Sequence, residues 1–397
     1  MSDAHEVPEA PAPEQPPTRH RLFLHVGMPK SGSTYLQAIL ANNREALKQH
    51  GFIYPYVQQE GMFHAAVEMT GDPEQWGLTA EQVEGTFDHL LRRGRRMDLD
   101  VVISHENFGT ARTKQIKKIA ARLTDFEPHV VLTVRDPVRM MAARWQERVK
   151  NGFAESFDEF AASVLEGLPT DPAEAGFWRG HNLAWLLDHW ERVAPPERIH
   201  VVVTPSRGGE PDLLWHRFAD ALGFPPDVVD LSRVSRRNES LGAPQVAFLR
   251  EVLDALGDRL PQPWYAEVVK RWFAQSVLST VDSRRAITPA PVADRVAPLA
   301  HAWVEKVRTG GYQVHGDLDE LISPPVPSGT PHPDTVTADE VLAGMPDVVA
   351  QMLLRTRDLR ARIEELEEQN DALAAEVAEL RLPPETRAAR WRRRLLG

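Results

Sequence analysis

Arg21-Leu-Phe-Leu-His25-Val-Gly27-Met-Pro-Lys30-Ser31-Gly32-Ser33-Thr34-Tyr-Leu-Gln37 decides how the rest of the chain is read. The apolar run 21–27 predicts a buried strand. A turn with two glycines follows, and then a helical stretch through about Lys48. Glycine lets a backbone approach a ligand closely. Successive N–H groups where a loop enters a helix form an anion cradle. Lys30 and the hydroxyls of Ser31, Ser33 and Thr34 supply further donors. Strand, glycines, lysine, hydroxyls and helix agree on a phosphate-binding loop, where a lone glycine turn with a solvated lysine would carry no such reading.

The pattern continues outward. GFIYP (51–55) reads as a short strand stopped by Pro55. DVVIS (100–104), HVVLTV (129–134) and RIHVVV (198–203) read as buried strands. Helical patterns lie at 79–96, at 112–124, from about Val138 and near 210–222, and residues 241–311 are mostly helical. Strands alternating with helices predict an α/β fold, a P-loop-type parallel sheet flanked by helices. The chain has 397 residues, 42% of them hydrophobic and 26% charged, enough to bury a core and exclude global disorder. It has no cysteine, which excludes disulfides, thiolate zinc sites, iron–sulfur clusters and a cysteine nucleophile. A net charge of -11 argues against a nucleic-acid partner. There is no membrane-spanning run and no secretory h-region, so a cytoplasmic protein is expected.

The position of the lysine selects the ligand. A nucleotide-triphosphatase loop reads G-x-x-x-x-G-K-[ST]. Gly27 and Gly32 keep that spacing, but Ser33 stands where the lysine belongs, and the lysine is at position 30. The loop resembles the 5′-phosphosulfate loop of sulfotransferases that use 3′-phosphoadenosine 5′-phosphosulfate (PAPS), of the bacterial and carbohydrate branches. A second segment, Arg135-Asp136-Pro137-Val-Arg139-Met-Met-Ala-Ala143-Arg144-Trp145, resembles the 3′-phosphate segment of that family, R-[DN]-P followed by a serine and an aromatic. Arg135 and Trp145 match it. Ala143 occupies the serine position, so Arg139, Arg144 or an arginine of Ser235-Arg236-Arg237-Asn238 must replace one hydroxyl donor. The resemblance covers roughly residues 21–310. It implies a PAPS site of Lys30, Ser31, Gly32, Ser33, Thr34, Arg135, Arg139 and Arg237, and an acceptor hydroxyl on a carbohydrate, glycolipid or small metabolite.

Sulfuryl transfer needs the leaving phosphate neutralised, a base for the acceptor hydroxyl and both reactants in line; it requires no metal. Lys30 and the loop amides suit the first role. Glu106 and His105, at the end of strand 100–104, and His64, in the expected substrate loop Gly-Met-Phe-His-Ala-Ala, are the base candidates. His25 lies on the strand itself and packs or orients the loop. Two alternatives stand beside this reading. One is a P-loop kinase; the other is a non-catalytic scaffold that keeps the fold.

The globular part is expected to end in the Pro-rich stretch 322–336, mirroring a disordered Pro-rich arm at 1–20. Residues 337–382 predict a helix. Ile363, Leu366, Asn370, Leu373, Val377 and Leu380 step by three and four, a heptad seam with Asn370 at an a position, and Met352, Thr356 and Leu359 extend it upstream. A homodimer through 346–382, tethered by flexible linkers, is expected. The basic tail 383–397 suits an anionic membrane surface, which adds a peripheral membrane location to the expectation.

Overall fold

The computed structural model describes residues 20–166, 168, 176–206, 209–210, 212–234 and 240–381. The arm 1–19, Arg237 and the tail 382–397 lie outside the described residues. Six strands form one sheet: β1 (Arg21–His25), β2 (Phe52–Ile53), β3 (Asp100–Ser104), β4 (Glu127–Val134), β5 (Ile199–Val203) and β6 (Gln313–His315). Their order is β2-β3-β1-β4-β5-β6, and every pairing is parallel. The register sets Leu24 beside both Ile103 and Val130. Successive side chains leave for opposite faces. Leu22 and Leu24 enter one core with Ile103 and Leu132, while Phe23 enters the other with Val102 and Val131. Because both faces are covered, the strands read as continuous apolar runs.

Five helices frame the sheet's loops and carry the chain away from the body: α1 (Ser33–Asn42), α2 (Gly61–Thr70), α3 (Pro137–Lys150), α4 (Leu213–Leu222) and α5 (Met345–Leu380). On the Phe23 face, α1 packs Leu36, Ile39 and Leu40 beside Trp215 and Phe218 of α4. On the other face lie α2 and α3, with Ala65, Ala66, Met140 and Trp145 buried.

Four local expectations change. The helical stretch after the loop breaks at Asn43, whose amide bonds to the carbonyls of Ile39 and Asp230 in competition with the helical ladder, and resumes over Arg44–Gln49. The stretch 79–96 splits at Gly85, whose φ of 74° breaks it into Ala80–Val83 and Thr86–Met97. Gly-Met-Phe-His-Ala-Ala belongs to α2 and is not a substrate loop; Ala65, Ala66 and Met69 anchor it to the core. The three residues of β6 were not foreseen, since two of them are exposed and leave no apolar run.

The Pro-rich stretch 322–336 lies against the body instead of tethering the last helix loosely. Asp334 accepts the N–H groups of Phe157 (2.8 Å) and Asp158 (3.1 Å), capping the helix Phe157–Glu166, and Val326 and Val336 pack on the core. From there α5 runs for 36 residues, with Val348 its buried anchor. Among the described residues no helix is long and apolar enough to cross a membrane.

Candidate active site

The chain crosses from one side of β1 to the other between β3 and β4, so the loops after these strands meet at a switch point, where open α/β sheets bind ligands. The loop after β1 stays pinned to the sheet: Val26 and Met28 donate to the carbonyls of Val131 (3.0 Å) and Thr133 (2.9 Å). A Cβ on Gly27 would fall 2.3 Å from Thr133 Oγ1, and one on Gly32 would fall 2.4 Å from Leu214 Cδ2. Gly32 also sits at φ 95°. Lys30 adopts φ 68°, a left-handed backbone that costs a lysine energy and bends the loop. No side chain caps α1 and no carboxylate lies in its first turn. The N–H groups of Ser33 and Thr34 therefore lack an intrahelical acceptor, and the positive end of the helix faces the loop.

Beneath the loop runs a string of hydrogen bonds. Ser31 Oγ donates to Met28 O at 2.5 Å. Thr133 Oγ1 must then donate to Ser31 Oγ (2.7 Å), His25 Nε2 to Thr133 Oγ1 (3.0 Å) and Ser104 Oγ to His25 Nδ1 (2.7 Å). His25 carries one proton in this scheme. Burial, the largest cause, agrees by lowering its pKa to about 4, with Glu106 opposing. The Ser31 hydroxyl is thus turned inward, holding the loop from below, and does not line the cradle as expected. Thr34 is exposed.

Arg135 Nη1 donates to the carbonyl of Lys30 at 3.0 Å, joining the two motifs. Asp136 caps α3, its Oδ1 accepting the N–H groups of Val138 (2.8 Å) and Arg139 (3.2 Å), and Pro137 takes the first helical position. Arg139 pairs with Asp136 at 3.7 Å. Trp145 is core, donating to Glu155 O. Arg144 Nε is buried without a hydrogen-bond partner. A shielded guanidinium donor left open is costly unless a ligand meets it.

Lys30 reaches Glu147, one turn beyond Ala143 on α3, at 3.0 Å. The same carboxylate meets Lys150 at 3.1 Å and Lys270 at 3.0 Å. Three ammonium groups against one carboxylate leave a surplus of two positive charges (3 − 1). Burial pushes the Glu147 carboxyl up, but the three lysines outweigh it and hold it well below the usual range.

Glu106 opens the turn after β3. Its Oε2 accepts from Gln37 Nε2 at 3.0 Å, and the Ser33 hydroxyl bonds to the same carboxylate. Burial again raises its pKa, yet His105, its own N–H, Gln37 and Ser33 together lower it, so Glu106 is ionised. His105 Nδ1 accepts the N–H of Asn107 at 3.1 Å, and burial lowers its pKa against the pull of Glu106. His105 is therefore neutral, with its proton on Nε2. His64 bonds to Gln58 from α2, and the Phe63 ring contacts both its ring and that of His105. Hydrogen bonds thus join Arg135 to Lys30 and Glu106 to Ser33, while His64 bonds to Gln58.

Sequence reading missed Glu147, Lys150, Lys270 and His181. Glu147 was within reach, lying four positions from Ala143 on one helical face. Lys270 comes from a π-helical stretch, Tyr265–Val277, with no local signal. His181 stacks on Phe177 and bonds to its carbonyl through Nδ1 at 2.7 Å; burial lowers its pKa to about 3, and Arg144 lowers it further.

No family model matches the chain, and no curated protein does. A crystal structure of a sulfotransferase from Alicyclobacillus acidocaldarius is similar to it, with 19% identity, 59% of this chain and 90% of that chain covered, and a TM-score of 0.37.

Elsewhere on the body, Asp158, His332 and Asp334 bring potential metal-ligating atoms within 4.8 Å of one another. Sequence spacing had shown no such group, because the residues come from two distant segments. Asp334 there caps a helix and pairs with Arg250, a structural use of the carboxylate.

Proposed function

We propose that this protein is a sulfotransferase that moves a sulfuryl group from PAPS to an acceptor hydroxyl of a carbohydrate, glycolipid or small metabolite. One observation carries the reading: Arg135 of the second motif donates to the backbone of Lys30 in the first, so segments 105 positions apart, each resembling a phosphate-binding segment, meet in space. The residues fit such a donor. Gly27 and Gly32 let the loop pack directly on Thr133 and Leu214, which fixes its course into α1. The open N-terminus of α1 and Lys30 suit the 5′-phosphosulfate. Arg135 and Arg139 suit the 3′-phosphate, and the unpartnered Nε of Arg144 supplies the donor missing at Ala143.

PAPS supplies the sulfuryl group, whose bond to the 5′-phosphate oxygen breaks as a bond to the acceptor oxygen forms. Lys30 turns from Glu147 to the charge developing on the leaving phosphate. Lys150 and Lys270 keep Glu147 paired when it does so. Glu106, held ionised, takes the acceptor proton. Its hydrogen bonds to Gln37 and Ser33 of α1 tie the base to the helix that opens the cradle.

Isothermal titration tests this reading. The expected result is binding of 3′-phosphoadenosine 5′-phosphate and none of ATP with magnesium. Binding of ATP with magnesium alone would assign a kinase, and binding of neither would assign the scaffold. Mass spectrometry of sulfated metabolites with and without the protein then identifies the acceptor.

A further inference from the structure

Most of α5 leaves the body with apolar side chains in water. With Asn370 at a, the a positions are Val349, Thr356, Ile363, Asn370 and Val377. The d positions are Met352, Leu359, Leu366, Leu373 and Leu380. Ile363 is 54% exposed and Leu373 60%. A helix that contributes little to its own core hides such a stripe against something else. The repeat spans about five heptads, beyond the three to four that mark a coiled coil.

The way α5 docks on its own body leaves this stripe free. Val348, buried at a g position, anchors the helix, and Asp347, Ala350, Gln351 and Leu354 line a groove with Thr280 and Val281. Gln351 Nε2 donates to Thr280 Oγ1 at 3.0 Å. In heptad terms the four groove residues hold f, b, c and f positions, on the side of the helix opposite a and d, while Val348 at g flanks the seam at its base. The body therefore occupies the outer face and one flank at the base of the helix, and the a and d side chains, Val349 and Met352 included, stay exposed.

We infer that the occupant of this seam is a second copy of the same chain, in a parallel, in-register, two-stranded coiled coil. Three features favour that occupant. The a and d residues alternate in a way that specifies two strands: Val349, Thr356, Ile363 and Val377 are β-branched, and four of the five d residues are leucine. Asn370 meets its own counterpart only when the helices are parallel and in register; an antiparallel pairing sets its amide against a d leucine and leaves it unsatisfied. The flanks also match: Arg362 at g faces Glu367 of the second copy at e, and Glu376 faces Arg381 of the second copy. Arg355 facing Arg360 of the second copy weakens the end near the body. The two bodies then flank the base of one stalk, each on an outer face.

Light scattering and sedimentation equilibrium on the full chain test this. At micromolar concentration the expected mass is twice 44.6 kDa. Leu366→Asp with Leu373→Asp should return the mass to that of a monomer; both side chains are exposed, so the body's fold is untouched. Ile363→Cys, in a chain with no cysteine, should cross-link nearly quantitatively under mild oxidation. A wild-type monomer overturns the proposal, as does a dimer that survives the two aspartates. A dimer in which Ile363→Cys does not cross-link overturns the parallel register.

Discussion

The charged cluster beside Lys30 and the seam of α5 are opposite in chemistry and alike in logic. Beside Lys30, charged groups are sheltered: Lys150 and Glu147 are buried or nearly so, and on the same helix Arg144 holds a donor away from water. Along α5, leucines stand in solvent. Each region violates the usual distribution of polar and apolar groups, and each is left incomplete by its own chain. On the proposals made above, an anion completes the surplus of cations over carboxylates beside Lys30, and a second stripe completes the apolar one. What a surface lacks thus names the class of its ligand more directly than what it displays.

The sharpest test of this contrast is a change that empties one region and leaves the other intact. Glu106→Gln should lower turnover on the order of 10²–10⁴-fold, with nucleotide affinity and dimer mass unchanged, because a base acts on the acceptor alone. If His64→Ala abolishes activity and Glu106→Gln does not, the base lies on α2. Lys30→Ala should cost about 10²-fold or more in turnover; near-wild-type turnover would remove Lys30 from the chemistry. Arg135→Ala and Arg144→Ala should each weaken binding of 3′-phosphoadenosine 5′-phosphate by roughly 1.5–3 kcal/mol in titration calorimetry. Adenosine 5′-phosphosulfate, lacking the 3′-phosphate, should bind the variants and the wild type equally. An unchanged affinity for Arg144→Ala would shift the missing donor to Arg139 or Arg237.

A further effect acts on the body's stability and not on the seam. The folded pKa of His25 is about 4, below its ordinary 6.5, so the unfolded chain takes up the proton first as pH falls. Stability is full above about pH 6.5, declines from there, and the loss levels off below about pH 4, at on the order of 3 kcal/mol for this residue. Thermal melts across that window should show the fall, and His25→Gln should make it shallower, with His181 and His200, whose pKa values burial also lowers, causing the remainder. The smallest effect expected is that of Leu366→Asp with Leu373→Asp on turnover: none per active site. A large loss would show that the two bodies complete each other's sites.

Much of the body was legible because its signals are local. Apolar runs of five or six residues between turns mark strands buried on both faces, and the loop's glycines, lysine and hydroxyls lie within eight positions. The edges were less legible. β6 has three residues and little apolar content, and Asn43 stops a helix with an amide whose second partner, Asp230, lies far along the chain. In the site, Glu106 and Arg135 stood out at strand ends, while Ser31 looked like a ligand donor and is committed to Met28 and Thr133.

The sequence by itself determined the period of each element and hence its faces: alternation within the sheet, and a three-four repeat along α5. It also set the loop's backbone freedom, because only glycine tolerates the contacts at positions 27 and 32. Tertiary structure alone decided which distant charges share a carboxylate, that the Pro-rich stretch docks through Asp334, and that the body sits on the outer face of α5. The physical reason is range. Periodicity and steric permission act between near neighbours in the chain, whereas ion pairs, shielding and docking depend on through-space distances that exist only after the sheet and helices have packed.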